Sequence, residues 1–212
     1  MTATTTPLLL YVDSHYVSPY AMSVFVGLRE KGLLFQTRAL DLGAGAARSA
    51  DFAQTSITQR VPTLVDGGFS LSESSAITEY LDEAYPGARL YPSGLQARAR
   101  ARQVQAWLRS DLMALRQERS TDVVFRAPVD RPLSDAARAA ADKLLAGAGA
   151  LLAHGRPHLF DAWSIADLDL ALMLNRLVRN GDAVPQQLAD YATRQWQRPS
   201  VQEWVAHERP VR

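Results

Sequence analysis

The sequence predicts two regions of different architecture, an α/β region with the element order βαβαββα and, after it, an all-helical region. Three observations lead to this prediction. Short apolar runs suited to buried strands alternate with helical spacing before residue 86. Two of these runs flank Asp66-Gly67-Gly68, a strong hairpin signal. The segment 86–94 is rich in Pro and Gly, and every long segment after it has helical periodicity.

The first region opens with Leu8–Val12, a short apolar run that predicts a buried strand. Ser18 and Pro19 are typical of a helix N-cap and of the first helical position. Gly32 is suited to end this helix, and a second strand is predicted over Leu34–Leu40.

A short helix ending near Gln54 is predicted next, and Thr63–Val65 and Phe69–Leu71 form the two strands of the hairpin. A further helix is expected over Ser75–Tyr85. A parallel strand pair crossed by a helix, with an antiparallel hairpin and a final helix, is the thioredoxin-like arrangement. We therefore expect a thioredoxin-like domain with a mixed four-stranded sheet over residues 7–86.

An all-helical domain is expected over residues 96–212. Its predicted helices cover 97–119, 134–154, 164–179, 184–194 and 199–207. Ser164 followed by Asp167 has the spacing of a capping box, in which Asp takes the place of Glu or Gln.

Composition excludes several classes of function. The 212 residues are 47% hydrophobic and 21% charged with a net charge of +1, which gives no support for a nucleic-acid partner. No apolar run approaches the roughly 20 residues that a membrane span needs, so no membrane partner is expected. The chain has no cysteine, which removes disulfides, thiolate metal sites and a cysteine nucleophile, and which suits a cytoplasmic protein. The four histidines lack metal-ligand spacing, and we assign no metal.

Three short segments carry groups suited to binding and chemistry. Val61-Pro62 opens an apolar strand, and a proline there cannot donate to a sheet ladder. Glu73 and Ser74 open a helix, where free N–H groups and the positive dipole end attract a carboxylate, and where a nearby acid can accept from an ammonium group. Ser18 presents a hydroxyl at the start of the first helix.

With these motifs the chain resembles the cytosolic glutathione S-transferases, and most closely the bacterial YfcF-type glutathione transferases, over nearly its whole length. The resemblance implies that the Val61-Pro62 bond is cis and that the Val61 backbone pairs with the cysteinyl part of glutathione. It implies that Glu73 and Ser74 bind the γ-glutamyl end.

Arg60, with Gln59 as a second candidate, would reach the glycine carboxylate of glutathione. Family members often carry Asn-Pro-x-Gly-Lys-Val-Pro, whereas this chain has Ser56-Ile57-Thr58-Gln59-Arg60-Val61-Pro62. The Asn-Pro pair and the Gly are missing, and the contacts at the glycine end therefore stay open.

The resemblance also implies serine-assisted catalysis, in which Ser18 donates to the sulfur and favours the nucleophilic thiolate. Tyr16 and Tyr20 are alternatives, because tyrosine-type enzymes use a phenol. The expected reactions are conjugation to small electrophiles and reduction of organic hydroperoxides. The second substrate would lie near a helix carrying Trp107, Asp111, Met113 and Arg116, although core packing explains Trp107 and Met113 equally well.

A homodimer is expected by the same resemblance, with the Arg-rich face of the 97–119 helix as one contact. Two alternatives remain open. One is a non-catalytic regulator on the same fold, like the stringent starvation proteins that bind polymerase. The other is a carrier that binds glutathione conjugates or apolar molecules without turnover.

Overall fold

The computed structural model describes residues 7–210, which divide into two compact units. The first unit runs to Leu90 and also includes the segment that begins at Ala206. The second unit is Tyr91–Val205. The domain bounds 7–86 and 96–212 remain a prediction about independently folding domains.

The first unit contains four strands and three α-helices in the predicted order. In sequence they are β1 (Leu8–Asp13), α1 (Pro19–Glu30), β2 (Phe35–Leu40), a 3₁₀ turn (Ala46–Arg48), α2 (Ala50–Thr55), β3 (Thr63–Asp66), β4 (Phe69–Ser72) and α3 (Ser74–Ala84). Ser18 is the N-cap of α1 and Pro19 is its first residue, as predicted. The thioredoxin-like fold with a mixed four-stranded sheet is thereby confirmed.

The sheet has the strand order β2-β1-β3-β4. β1 and β2 are parallel, whereas β3 is antiparallel to both β1 and β4. Leu10, Val12 and Leu64 are fully or almost fully buried in the central strands. Helices α1 and α3 pack against each other and contribute the buried residues Met22 and Ile77. The hydrophobic core therefore fixes the strand register, because a shift of one residue would turn these side chains to the other face.

The second unit is helical. Its helices are α4 (Leu95–Ser110), α5 (Met113–Glu118), α6 (Thr121–Phe125), α7 (Asp135–Leu151), α8 (Ile165–Val178), α9 (Gln186–Trp196) and α10 (Pro199–Val205). Helix α8 is buried along almost all of its length and packs against α4 and α9. An apolar helix of this kind is expected at the centre of a helical core.

The prediction of one continuous helix over 97–119 is wrong. Helix α4 ends at Ser110, Leu112 has a φ of 61°, and α5 begins at Met113. The Asp111 carboxylate accepts hydrogen bonds from the backbone N–H of Leu112 (2.7 Å) and from the indole N–H of Trp107 (3.1 Å). This local acceptor competes with the helical hydrogen bonds and accompanies the break. The short helix α6 was also not predicted.

The predicted capping box at the start of α8 is confirmed. The Asp167 carboxylate accepts from the backbone N–H of Ser164 at 2.8 Å and from the hydroxyl of Ser164 at 3.0 Å. It also accepts from the backbone N–H of Leu159 at 2.7 Å and from the Tyr191 hydroxyl at 2.8 Å. Burial raises the pKa of Asp167, and these hydrogen bonds oppose that rise. The network ties the loop before α8 to both α8 and α9.

A second carboxylate, Asp66, joins β3 to α3 in the first unit. Its Oδ2 accepts hydrogen bonds from the hydroxyls of Tyr80 (2.6 Å) and Tyr85 (2.5 Å). The hydrogen bond to Asp66 raises the pKa of Tyr80, and burial together with the same carboxylate raises the pKa of Tyr85. Burial and Asp167 likewise raise the pKa of Tyr191. All three phenols hold their protons more tightly in the folded chain than in an unfolded one.

We expect stability to fall as the pH rises above 10, the ordinary tyrosine value. The three raised pKa values mean that the folded state binds more protons than the unfolded state above that pH, so their contribution is complete below it and is lost above it. Urea unfolding at a series of pH values from 8.5 to 11.5 would measure this. The variant Tyr191→Phe should show a shallower loss, and an equal slope in both proteins would contradict the assignment.

Within residues 7–210, no helix has both the length and the apolar character that crossing a bilayer requires.

Candidate functional site

The residues predicted to bind glutathione meet at one end of the sheet of the first unit. Tyr11 near the end of β1 pairs with Thr63 at the start of β3, and Thr63 pairs with Ser72 at the end of β4. Because neighbouring strands lie about 4.8 Å apart, the segments that leave these three positions are close in space. They are the loop carrying Ser18, the segment 59–62, and Glu73 with Ser74. The strand register therefore brings the segments that carry the residues predicted to bind and activate glutathione to one end of the sheet.

Ser18 is positioned by a buried carboxylate. Asp13, at the end of β1, is only 3% exposed. Its two oxygens accept from the backbone N–H groups of Val17 (2.8 Å) and Ser18 (3.0 Å). The Ser18 Oγ in turn accepts from the backbone N–H of Ala21 at 3.2 Å. Acceptance uses a lone pair of the hydroxyl, so Ser18 keeps its own hydrogen for donation to another acceptor.

The role of Asp13 was not predicted from the sequence. One sequence feature could have pointed to this role: an acidic residue ends a strand, and a helix N-cap follows within five residues. The backbone N–H groups of so short a loop need an acceptor, which the acid can supply. Only the fold shows that this carboxylate turns inward and holds the loop.

Tyr16 and Tyr20, the alternatives to Ser18, are both half-buried. Tyr16 has a φ of 50° and its ring stacks on His207 with 4.0 Å between centroids. His207 also meets the edge of Phe25 at 5.7 Å. Tyr16 is thus part of an aromatic stack, while Tyr20 is the second residue of α1.

The segment before β3 is held by two buried hydroxyls. Thr63 Oγ1 lies 2.8 Å from both the Arg60 carbonyl oxygen and Ser56 Oγ. A carbonyl only accepts, so Thr63 donates its single hydrogen to Arg60 and accepts from Ser56. The side chains of Arg60 and Gln59 are exposed. The Val61-Pro62 bond is cis, as predicted.

Gln59 has a φ of 52°. This position corresponds to the Gly of the related Asn-Pro-x-Gly-Lys-Val-Pro motif. A left-handed backbone explains why glycine is favoured there, since other residues adopt it at some cost. In this chain Gln59 adopts that backbone without a glycine.

Glu73 and Ser74 begin α3 in an uncommon backbone conformation. Glu73 is exposed and has a φ of 73° and a ψ of 113°, whereas Ser74 is 3% exposed. A non-glycine residue held at such a φ stores strain, and such residues cluster at binding sites. No residue pattern around Glu73 predicts this strain. The N–H groups of the first turn of α3 are of the kind that can bind an anion.

The four residues predicted to line a second-substrate site are all in the second unit. Trp107 donates to Asp111, which also forms an ion pair with Lys143. Met113 is 52% exposed, and Arg116 donates to the Arg109 carbonyl at 2.8 Å. Three of the four are thus engaged within their own unit, and their role in binding a substrate stays a prediction.

Among residues 7–210, no cluster of three or more His, Cys, Asp or Glu side chains is arranged to hold a metal ion.

Comparison with known proteins gives two family matches. The model described as glutathione S-transferase, C-terminal domain, matches residues 94–209, and the model for the N-terminal domain matches residues 14–89. Glutathione S-transferase theta-2 of Mus musculus is 39% identical over 99 residues, which are 46% of this chain and 40% of that protein. Theta-1 of Homo sapiens is 38% identical over 104 residues, 49% of this chain and 42% of that protein. The matched stretch thus spans less than half the length of these curated relatives.

Solved structures match over a greater length. A glutathione transferase homolog from Burkholderia BGR1, with bound glutathione, is 47% identical, covers 94% of this chain and 96% of its own, and has a TM-score of 0.77. Maleylacetoacetate isomerase from Methylobacterium extorquens AM1, with bound malonate and glutathione, is 25% identical over 93% of this chain and 95% of its own, with a TM-score of 0.73. Since one family model covers more than half of the residues and one solved relative matches almost the whole length, the chain belongs to the glutathione S-transferase family.

Proposed function

We propose that this protein is a serine-type glutathione transferase. The observation that carries the proposal is the register Tyr11–Thr63–Ser72, which aligns the ends of β1, β3 and β4. The three strands span about 10 Å, two strand spacings. An extended tripeptide is about 10 Å long. Glutathione therefore fits across this edge with its thiol toward α1 and its γ-glutamyl end toward α3.

Each end of glutathione meets groups of matching chemistry in this arrangement. The γ-glutamyl carboxylate lies against the N–H groups and hydroxyl of Ser74 at the start of α3, and its ammonium group faces Glu73. The cysteinyl backbone pairs with Val61 as an added strand would. Arg60, assisted by Gln59, binds the glycine carboxylate. The exposed positions of Arg60, Gln59 and Glu73 support these assignments.

Ser18 then acts on the sulfur. Its hydroxyl donates to the thiolate at the positive end of α1, which lowers the thiol pKa below the roughly 8.5 of a free thiol. The thiolate attacks an electrophilic carbon, the new C–S bond forms as the leaving group departs, and the thiol proton is lost to solvent. With an organic hydroperoxide the thiolate attacks oxygen and releases the alcohol. A second glutathione then yields glutathione disulfide and water.

The proposal extends to the subfamily, the assembly and the location. The resemblance of the sequence over nearly its whole length supports the YfcF type, and the Arg-rich face of α4 supports a homodimer contact. That face is partly used within its own unit, because Arg98 donates to the Pro92 carbonyl at 3.1 Å and Arg109 pairs with Asp169 at 3.0 Å. A cysteine-free sequence supports a cytoplasmic location.

Calorimetric titration with glutathione, combined with ultraviolet detection of the bound thiolate across pH, tests the proposal. We expect saturable binding and a bound-thiol pKa well below 8.5. Binding with an unshifted thiol would favour a carrier. No binding at millimolar glutathione would leave the non-catalytic regulator as the better description.

Ser18→Ala should separate catalysis from binding. We expect the bound thiol pKa to return toward the free value and kcat/KM at neutral pH to fall about tenfold to hundredfold, with little change in glutathione affinity. Loss of the N-cap should also lower the free energy of unfolding by about 1 kcal/mol, so activity should be measured well below the Tm of the variant.

Two controls make this result specific. Ser18→Thr keeps the hydroxyl and should retain a lowered thiol pKa, and Ser14→Ala changes a hydroxyl elsewhere in the same loop. If Tyr16→Phe or Tyr20→Phe abolished the thiolate while Ser18→Ala did not, the serine-type mechanism would be wrong.

A further inference from the structure

The second unit contains a cavity that the transferase proposal does not use. It lies between residues of α8, α9 and α10 and has a volume of about 490 Å³. Cavities of this size accommodate small organic ligands. We call it the α8–α9 cavity, and its floor and rim differ in character.

Two residues that line the cavity carry buried nitrogen donors, and we call this part of the cavity its floor. Asn175 on α8 is 3% exposed and Trp196 on α9 is 5% exposed. Within the described part of the chain, Asn175 Nδ2 and the indole Nε1 of Trp196 have no hydrogen-bond partner and no contact with solvent. Nearly all buried polar groups in native proteins have a partner, so two unsatisfied donors on residues that line one cavity favour an acceptor that a small side-chain rotation would bring within their reach.

The rim carries exposed donors and one full positive charge. Arg179 follows Asn175 by one helical turn, and its guanidinium carbon lies 5.4 Å from the centre of the Trp196 ring. Thr193 on α9 adds an exposed hydroxyl. Gln202 donates to the Trp196 carbonyl at 2.6 Å, which fixes α10 beside the indole. Among the residues that the structure describes, no carboxylate lines the cavity. The available side-chain groups are therefore mainly donors, and they select a ligand rich in acceptors.

The C-terminal ends of α8 and α9 limit the negative charge that this ligand can carry. The cavity lies at the C-terminal turns of both α8 and α9, whose carbonyl ends carry partial negative charge. These helix ends disfavour any anion and a doubly charged phosphate most, whereas the guanidinium of Arg179 balances the single charge of a monoanion. We propose that the α8–α9 cavity binds a small organic monocarboxylate. One oxygen pairs with Arg179, and the other is reached by the amide of Asn175 or the indole of Trp196 after a small side-chain rotation.

The indole signal of Trp196 in a ¹⁵N–¹H correlation spectrum reports on this contact directly. Trp196→Phe identifies the signal. Benzoate is the probe, and benzamide, which has the same shape and a carbonyl acceptor but no charge, is the matched control. We expect a saturable shift with benzoate and about tenfold weaker binding of benzamide, because hydrogen bonds to a charged acceptor are the stronger ones.

Arg179→Gln should weaken benzoate binding about tenfold. Arg194→Gln, an exposed arginine on α9 that does not line the cavity, should leave it unchanged. Both changes are at the surface and leave the floor intact. The proposal is overturned if the Trp196 signal stays fixed at about 50 mM benzoate, if benzamide binds equally well, or if Arg179→Gln has no effect. None of these outcomes depends on glutathione, so the test is independent of the transferase proposal.

Discussion

Asp167→Ala is expected to lower the free energy of unfolding by about 4 kcal/mol. The side chain is fully buried and accepts hydrogen bonds from Leu159, Ser164 and Tyr191. Alanine would leave these donors unpaired in the interior, and each unpaired donor costs about 1–3 kcal/mol. The loss is reduced because the variant no longer buries a charge, a cost that the raised pKa of Asp167 reflects.

Urea unfolding of the variant and the parent measures this difference, provided that the free energy of unfolding falls with urea concentration at the same slope in both proteins. Asp167→Asn keeps the volume and one acceptor and should lose about half as much. Asp161→Ala is the control, because its side chain is 95% exposed and pairs with the surface residue Arg156. Its unfolding midpoint should match that of the parent. A loss near 1 kcal/mol for Asp167→Ala would mean that Asp167 acts as an ordinary N-terminal capping residue.

Asp13→Ala should lower the free energy of unfolding by about 3 kcal/mol and also impair catalysis. The carboxylate is 3% exposed and holds the backbone N–H groups of Val17 and Ser18. Without it the loop loses two charge-assisted hydrogen bonds, and the Ser18 hydroxyl is no longer fixed at the start of α1. We therefore expect the bound glutathione thiol to show a raised pKa although Ser18 itself is intact.

Two measurements separate these effects. Urea unfolding gives the stability loss, and ultraviolet titration of bound glutathione well below the Tm gives the thiol pKa. Asp41→Ala is the matched control, because Asp41 also accepts from a loop N–H, that of Ala44 at 2.9 Å, but in an exposed position. A stable Asp13→Ala protein with an unchanged thiol pKa would show that the carboxylate does not position Ser18.

Local chemistry explains what the sequence could predict. The hairpin at Asp66-Gly67-Gly68, the N-cap at Ser18 and the capping box at Ser164 and Asp167 each involve residues close in sequence, and all three are present in the structure. The order of strands and helices could be predicted because the spacing of apolar residues changes along the chain between that of a strand and that of a helix. The common edge of the candidate site followed from the resemblance, and the register of β1, β3 and β4 provides its physical basis.

What escaped prediction depends on contacts distant in sequence or on unfavourable backbone geometry. Leu112 breaks the 97–119 helix without a Gly or Pro to mark the position. Glu73 and Gln59 adopt positive φ values that their residue types do not favour. Asp13 acquires its role only when its carboxylate is buried beneath the loop that it holds. The floor donors of the α8–α9 cavity likewise come together only when α8 and α9 pack.

The stacking of His207 on Tyr16 has a consequence for how the protein can be divided. The chain leaves the first unit after Leu90 and returns to it at Ala206, so the second unit is, in topological terms, an insertion. A single cut at residue 90 would not release a whole first unit, because it removes the ring that stacks on Tyr16 beside the Ser18 loop. A fragment meant to reproduce the proposed glutathione site must therefore carry the segment that begins at Ala206, joined back through a linker or a circular permutation.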